Sequence, residues 1–245
     1  MLPFRKAYRS KYFGENIVVQ RNYVEGRWQD TVENVPNAVS NNQISNQAVV
    51  IGNGLSRTDF NLRYIANHRG GLLGALKLQS YGCNALYRDF TPDFLIATGA
   101  GIIDEIAKSD YTKEHIVYAD AQTLLKYPNK FYLIPYNAYA DAGATAAYIA
   151  AFDGHKKIFL LGFDMQDTPG HYYNVYADTA NYPASTANID DSKSIEAMKI
   201  LFTLYNDVDF IKVTKKGRDV VPAPWLDCMN FRQISYNEFA LEADL

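Results

Sequence analysis

Short apolar runs alternate with segments of helical character between residues 48 and 214, and this alternation constrains the fold more than any other feature. Continuous apolar runs that end near glycine or proline are typical of strands buried on both faces of a parallel sheet. We therefore predict an α/β fold with a Rossmann-like, mostly parallel sheet and helices on both faces. The clearest runs are AVVIG from residue 48, DFLIA from 93, HIVYA from 115, KFYLI from 130, IFLLG from 158 and DFIKV from 209, and a further strand is expected at 76–81.

The segments between these strands carry helix signals. The stretch DAGATAAYIAAFD is rich in alanine and ends before Gly154, which predicts a helix packed closely against the sheet. Another stretch places Ile195, Met198 and Leu201 on one face, as an amphipathic helix does. Helices are expected at residues 58–68, 101–109, 141–153 and 192–204.

Residues 1–47 differ in composition from the rest of the chain. Residues 21–47 are polar and rich in asparagine and glutamine, with weak periodicity. Asparagine, serine and proline favour turns because they compete with regular backbone hydrogen bonds. We predict an irregular N-terminal extension at residues 1–47, with one short strand at 16–20, followed by the α/β domain at 48–245.

Composition excludes several classes of protein. The net charge is −3, so a basic face for nucleic acid is not expected. No apolar run approaches the ~20 residues that a membrane-spanning helix requires. Two cysteines are too few for a disulfide framework, which favours a reducing, cytoplasmic compartment. The four histidines do not have the spacing of a structural zinc site. The chain has 19 tyrosines, a residue type that suits interfaces, so assembly into a homo-oligomer stays open.

Ligands of open parallel sheets bind beyond the carboxyl ends of the strands, where this chain carries small and polar residues. Glycines let the backbone approach a phosphate, and the N-terminus of the following helix favours negative charge. The sequence completes neither GxGxxG nor a P-loop, so a tight turn without a ligand is the alternative. The candidates after the first strand are Gly52, Asn53, Gly54 and Ser56.

Two later strand ends carry further candidates. Asn84 has an amide that can donate to and accept from a base or a ribose hydroxyl, or can cap a turn instead. Asp164 ends the most apolar strand, where a carboxylate can hold a metal, a ribose or an amine, or cap the loop. We interpret Cys83 as a small core residue.

A long loop, residues 165–190, follows Asp164. Long loops in compact domains are often functional, so this loop is a candidate lid over a ligand. His171 is its candidate acid or base near neutral pH, and a solvated surface histidine is the alternative. The tyrosines of the loop are Tyr172, Tyr173 and Tyr176.

Three segments resemble the pattern of a known superfamily: VVIGNGLSR, then YGCNALYRDFTPDFLIA, then AGATAAYIAAFDGHKKIFLLGFDM, within residues 48–165. They are similar to the Rossmann-like superfamily of bacterial CMP-sialic-acid-dependent sialyltransferases, glycosyltransferase family 42. They also resemble 6-hydroxymethylpterin diphosphokinase-like proteins. GFDM followed by NVYADTANY resembles bacteriophage proteins, which would place the chain in a host cytoplasm or in a virion.

The resemblance implies a nucleotide site. The chain departs from the family pattern where Leu55 replaces a proline and Ala142 replaces a serine, and no histidine follows His171. The residues that match the nucleotide site are Asn53, Gly54, Asn84 and Gly143, with Tyr172, Tyr173 or Tyr176 at the phosphate.

Three candidate functions follow. The first is a nucleotide-dependent transferase: a glycosyltransferase that uses a CMP-type nucleotide sugar and a glycan or small-molecule acceptor, with His171 deprotonating the acceptor. The second is a pterin-type diphosphokinase that uses ATP and Mg²⁺, with Asp164 and Asp167 as metal ligands. The third is a non-catalytic phage structural or nucleotide-binding protein that kept the fold.

Overall fold

The computed structural model describes residues 4–9, 15–36, 45–66, 78–134, 140–164, 174–182, 191–215 and 221–245. The strands in these ranges are β1 (Phe4–Arg9), β2 (Glu15–Val24), β3 (Arg27–Pro36), β4 (Gln47–Ile51), β5 (Gln79–Cys83), β6 (Phe94–Ile96), β7 (Ile116–Ala119), β8 (Tyr132–Leu133), β9 (Lys157–Leu161), β10 (Asp209–Thr214) and β11 (Phe231–Ser235).

The α-helices in the same ranges are α1 (Arg63–Ala66), α2 (Ala100–Lys108), α3 (Tyr111–Glu114), α4 (Ala121–Lys126), α5 (Ala142–Phe152), α6 (Ser192–Leu204), α7 (Ala223–Leu226) and α8 (Tyr236–Glu242). Two 3₁₀ helices cover Leu55–Asp59 and Asn84–Arg88. Within the described ranges, every helix is too short or too polar to cross a membrane.

Eight strands form one sheet in the order β11-β10-β9-β4-β5-β6-β7-β8, and every neighbouring pair is parallel. The chain runs outward from β4 to β8, then returns to place β9 on the other side of β4. The direction of winding therefore reverses between β4 and β9, which defines a topological switch point. The predicted α/β fold with a parallel, Rossmann-like sheet is confirmed.

Both faces of this sheet are covered, because alternate residues of each strand enter separate cores. Val49 and Ile51 of β4 lie in a core with side chains of α2 and α8. Ala48 and Val50 lie in a second core with side chains of α5, α6 and α7. A strand buried on both faces needs a continuous apolar run, and this is the pattern that predicted it.

Helix α5 packs tightly on the sheet because alanines cover most of its surface. Eight of its eleven residues are buried. The Asp141 carboxylate caps it by accepting a hydrogen bond from Ala144 N–H at 2.8 Å, and Gly154 after its end adopts a φ of +103°. The helices expected at 141–153 and 192–204 correspond to α5 and α6.

The helix expected at residues 58–68 does not form as one element. The chain forms the 3₁₀ helix Leu55–Asp59 and the short α1, separated by residues 60–62, of which Phe60 is extended. The Phe60 ring lies 5.2 Å from the ring of Phe239 and 5.8 Å from that of Tyr236. The extended backbone lets this ring enter the core, so tertiary packing overrides the local helical pattern. Residues 67 and 68 lie outside the described ranges.

The N-terminal region is more regular than its composition suggests. Strands β1, β2 and β3 form an antiparallel meander, and β1 contacts the edge strand β8. Glu25 and Gly26 join β2 to β3 with φ angles of 52° and 79°. Two consecutive positive φ angles define the tight hairpin turn that matches the twist of paired strands. The strand expected at 16–20 lies within β2. The prediction of an irregular extension is wrong for the rest of residues 15–36, where a two-residue turn signal outweighs the polar composition.

Residues 221–245 form α7, β11 and α8, which the sequence patterns did not predict. Strand β11 extends the parallel sheet beyond β10. Ser235 and Glu238 form a capping box at the start of α8. This reciprocal pair satisfies backbone N–H groups that the first helical turn leaves unpaired.

Candidate functional site

A crevice of about 330 Å³ opens at the switch point, beyond the ends of β4, β5 and β9. In open α/β sheets this is where ligands bind. Its walls come from three strand ends, from the first turns of α5 and α6, and from the segment at 174. The described lining residues are Gly52, Asn53, Gly54, Cys83, Asn84, Asp141, Ala142, Gly143, Ala144, Gly162, Phe163, Asp164, Asn174, Asp191, Ser194 and Met198.

Most of the predicted site residues that fall in the described ranges meet at this crevice. Ser56 does not line the crevice and is hydrogen-bonded to Asp164. Tyr176 belongs to a separate buried network of hydrogen bonds. The remaining predictions, His171, Tyr172, Tyr173 and the metal candidate Asp167, lie outside the described residues. The residues brought together are Gly52, Asn53, Gly54, Asn84, Gly143 and Asp164.

The glycines after β4 serve the contact between two loops. Gly52 N–H donates to Leu161 C=O at 2.8 Å, and Gly54 N–H donates to Gly162 C=O at 3.0 Å. A Cβ added to Gly52 would lie 2.5 Å from the carbonyl oxygen of Gly162. The sequence pattern predicted a phosphate contact for these glycines. In the structure, the lack of a side chain at these glycines lets the loop after β9 come close. Their N–H groups donate hydrogen bonds to carbonyl oxygens at the end of β9 and in that loop.

The Asp164 carboxylate caps the turn after β4. One of its oxygens accepts from Ser56 N–H at 2.8 Å, and the other accepts from the Ser56 hydroxyl. Both oxygens therefore have a protein donor, as the loop-capping alternative predicts. Among the described residues there is no cluster of three or more His, Cys, Asp and Glu side chains suited to a metal ion.

Two asparagines bring amides to the crevice. Asn84 has a φ of +48°, and its Oδ1 accepts from Thr98 N–H at 3.0 Å. The Oδ1 of Asn53 is buried and has no hydrogen-bond partner among the described residues. A buried unsatisfied acceptor costs about 1–3 kcal/mol.

The acidic side of the crevice was not predicted from the sequence. Asp141 caps α5, and its second oxygen accepts from the Ser194 hydroxyl of α6. Asp191 precedes α6, and Asn174 lies opposite. The position of Asp141 at the crevice could have been predicted from the sequence. A helix that follows a parallel strand begins at the carboxyl edge of the sheet, and Asp141 is the residue before such a helix. Asn174 and Asp191 reach the crevice through the tertiary fold alone.

Cys83 is not a nucleophile in this structure. Its thiol is buried and lies 3.5 Å from the Ala142 carbonyl oxygen. Burial raises the pKa of the Cys83 thiol well above its ordinary value, and Asp141 raises it further, whereas Arg57 lowers it. The thiol therefore stays protonated near neutral pH, in agreement with the core role expected for it.

Tyr176 joins the loop after β4 to residues 174–182. Arg57, only 3% exposed, donates through Nη2 to the Tyr176 hydroxyl at 2.8 Å and to Asp89 Oδ2 at 3.2 Å. The Tyr176 hydroxyl donates in turn to the other oxygen of Asp89. Burial, with the hydrogen bond to Asp89 as a second cause, raises the pKa of Tyr176. The neutral phenol thus acts as a structural link.

Residues 174–182 are held across the carboxyl edge of the sheet by further polar contacts. Arg88 donates to Thr179 Oγ1 at 2.9 Å and to Ala180 C=O at 3.0 Å. Val175 N–H donates to Asn53 C=O at 2.8 Å. These bonds fix one wall of the crevice beside Asn53.

Tyr176→Phe should lower the free energy of unfolding by about 1–3 kcal/mol, because Arg57 loses a buried acceptor. Urea denaturation followed by circular dichroism measures this change. Tyr64→Phe is the matched control, since Tyr64 is 54% exposed and its hydroxyl has no hydrogen bond among the described residues. Its effect should stay within about 0.5 kcal/mol. Equal effects of the two substitutions would show that the Tyr176 hydroxyl does not hold this network together.

Fold and site together define the class: a doubly wound α/β protein with a polar crevice at its topological switch point. Comparisons with protein-family models found no match. Comparisons with curated proteins and with solved structures also found none.

Proposed function

We propose that the chain is a nucleotide-dependent transferase whose crevice holds the nucleoside part of an activated donor, a nucleotide sugar of the CMP type. The observation that carries this proposal is the pair of asparagines at the switch point, one with a buried, unsatisfied acceptor. Amides can pair with both the donors and the acceptors of a base or a ribose. The crevice also has a volume at the lower end of the range for small-ligand sites.

In the proposed reaction an acceptor hydroxyl attacks the sugar, and the bond to the phosphate breaks. Negative charge then develops on the leaving phosphate, and donors placed there would supply most of the rate. The candidates for this step are His171, which would deprotonate the acceptor, and the tyrosines Tyr172 and Tyr173. All three lie outside the described residues, so the support for the proposal comes from the nucleoside side of the site.

The test is a thermal-shift screen of the full chain against nucleosides, nucleotides and nucleotide sugars, with and without Mg²⁺. A ligand at about 100 times its Kd should stabilise the protein by about 2.7 kcal/mol. We expect that only ligands with one type of base raise the melting temperature, and that these are the CMP-type ligands. Asn53→Ala and Asn84→Ala should abolish this ligand-induced shift.

Asn206→Ala is the control, because Asn206 is exposed and does not line the crevice. Asn84→Ala will also lower the melting temperature of the protein without ligand. Asn84 has a left-handed φ, and its side chain accepts a hydrogen bond from Thr98 N–H that alanine cannot replace. The shift on adding ligand is therefore the quantity compared.

A shift with ATP only when Mg²⁺ is present would favour the diphosphokinase instead. Asp164 would then bind the metal through the lone pairs that its two hydrogen bonds from Ser56 leave available. No shift with any nucleotide or nucleoside would contradict both enzyme proposals and favour a non-catalytic protein that kept the fold.

A further inference from the structure

The crevice is acidic. Three of its lining residues are the aspartates Asp141, Asp164 and Asp191. Within the described part of the chain, none of the lining residues is lysine, arginine or histidine. Phosphate-binding sites usually present cations or free backbone N–H groups to the ligand. This crevice presents carboxylates, which repel a phosphate.

Both helices that point their N-termini at the crevice carry an aspartate there. At α5 the Asp141 carboxylate takes the position that a phosphate would take, since it accepts from Ala144 N–H at 2.8 Å. Asp191 is the residue immediately before the first turn of α6. A bound phosphate would have to displace or approach these carboxylates.

Three backbone donors of the loop after β4 are also in use. Gly52, Gly54 and Ser56 donate their N–H groups to Leu161, Gly162 and Asp164, respectively. These three N–H groups are therefore not available to a phosphate, as the N–H groups of phosphate-binding glycine-rich loops are.

The Cys83 thiol in the crevice wall responds to the local electrostatic field. Burial is the main cause that raises the pKa of this thiol, Asp141 raises it further, and Arg57 lowers it. The Asp141 carboxylate therefore adds to the cost of a negative charge at the crevice wall.

We propose that the crevice binds its ligand through the uncharged nucleoside and discriminates against phosphate charge, with Asp141 and Asp191 as the specificity-determining residues. Ribose hydroxyls and base amino groups are donors, and they match a crevice lined by the carboxylates of Asp141, Asp164 and Asp191. The inference rests on the proposed function in one respect, that the ligand contains a nucleoside. It adds that the phosphate of the donor lies outside the crevice.

Isothermal titration calorimetry of the full chain tests this with each common nucleoside and its 5′-monophosphate. The preferred nucleoside should bind at least as tightly as its monophosphate. Asp141→Asn should raise the affinity for the monophosphate by roughly three- to tenfold, because one repelling charge is removed. The affinity for the nucleoside should change by less than about twofold. Asp191→Asn should act in the same direction.

Asparagine is as good a helix cap as aspartate, so Asp141→Asn should preserve α5. Asp191 makes no side-chain cap bond to α6, so Asp191→Asn removes no cap there. Asp110→Asn is the matched control, since its carboxylate is 86% exposed and lies outside the crevice. It removes one charge and should alter neither affinity.

The failures of the two proposals are distinguishable. In one contrary result, the wild-type protein binds the monophosphate more than about tenfold tighter than the nucleoside, and Asp141→Asn leaves that affinity unchanged or lowers it. This result would overturn the charge selectivity and leave the proposed function standing. A protein that binds neither nucleosides nor monophosphates would contradict the proposed function, and the selectivity with it.

Discussion

Trp225→Ala should lower the free energy of unfolding by about 4 kcal/mol. Trp225 is fully buried, and its ring centroid lies 5.5 Å from those of both Phe202 and Phe231. Its indole N–H also donates to the Ile195 carbonyl oxygen at 2.9 Å. Alanine would leave a cavity between α6, α7 and β11, and the Ile195 carbonyl would lose this donor.

Urea denaturation followed by far-ultraviolet circular dichroism is the appropriate measurement, because the chain has two tryptophans and the substitution removes one fluorophore. The neighbouring Leu226→Ala is the control, as Leu226 is 68% exposed. It should change the free energy of unfolding by less than about 1 kcal/mol. A loss below about 1 kcal/mol for Trp225→Ala would mean that residues 221–245 add little to the stability of the sheet.

Gly52→Ala should destabilise the protein by about 3 kcal/mol and abolish ligand binding at the crevice. The added Cβ would lie 2.5 Å from the Gly162 carbonyl oxygen and 3.1 Å from its carbonyl carbon. Both are backbone atoms, and Gly162 is itself constrained, with a φ of +74°. The loops after β4 and β9 would have to separate, and these loops carry Asn53 and Asp164.

Gly99→Ala is the matched control for this substitution. A Cβ at Gly99 would meet its nearest neighbour, an Ile102 methyl, at 3.4 Å, which is ordinary contact. Gly99 precedes α2 with a φ of −86°, so alanine is tolerated there at a cost of less than about 1 kcal/mol. Thermal denaturation and calorimetry of both variants, with the ligand identified in the screen, separate the two effects. Similar stability and binding in both variants would show that close approach of the two loops is not required.

The secondary structure that could be predicted from the sequence is the part whose signal is local and periodic. Helix α6 matches the predicted span because apolar side chains recur at helical spacing. Strands β4 and β9 were evident because burial on both faces demands continuous apolar runs. The elements that were missed lack such signals: β11 is only five residues long, with two exposed side chains, and α7 spans four residues.

The candidate site was predictable only as a set of strand ends. Residues after parallel strands must meet at one edge of the sheet, so Asn53, Asn84 and Asp164 could be grouped from their positions in the sequence. Their chemical roles could not be assigned in that way. Asp164 was predicted as a ligand or a cap, and the structure shows that it caps the turn, because Ser56, 108 residues away in the chain, donates to both of its oxygens.

By itself, the sequence determined the class of fold, the order of most strands and helices along the chain, and the edge of the sheet where a site could lie. These follow from hydrophobic periodicity and turn chemistry, which act over a few residues. Only the tertiary structure decided the order of strands across the sheet, the use of the glycines for contact between loops, and the acidic charge of the crevice. Asp141 and Asp191 meet Asn53 there because distant segments pack together, and no local pattern encodes which segments those are.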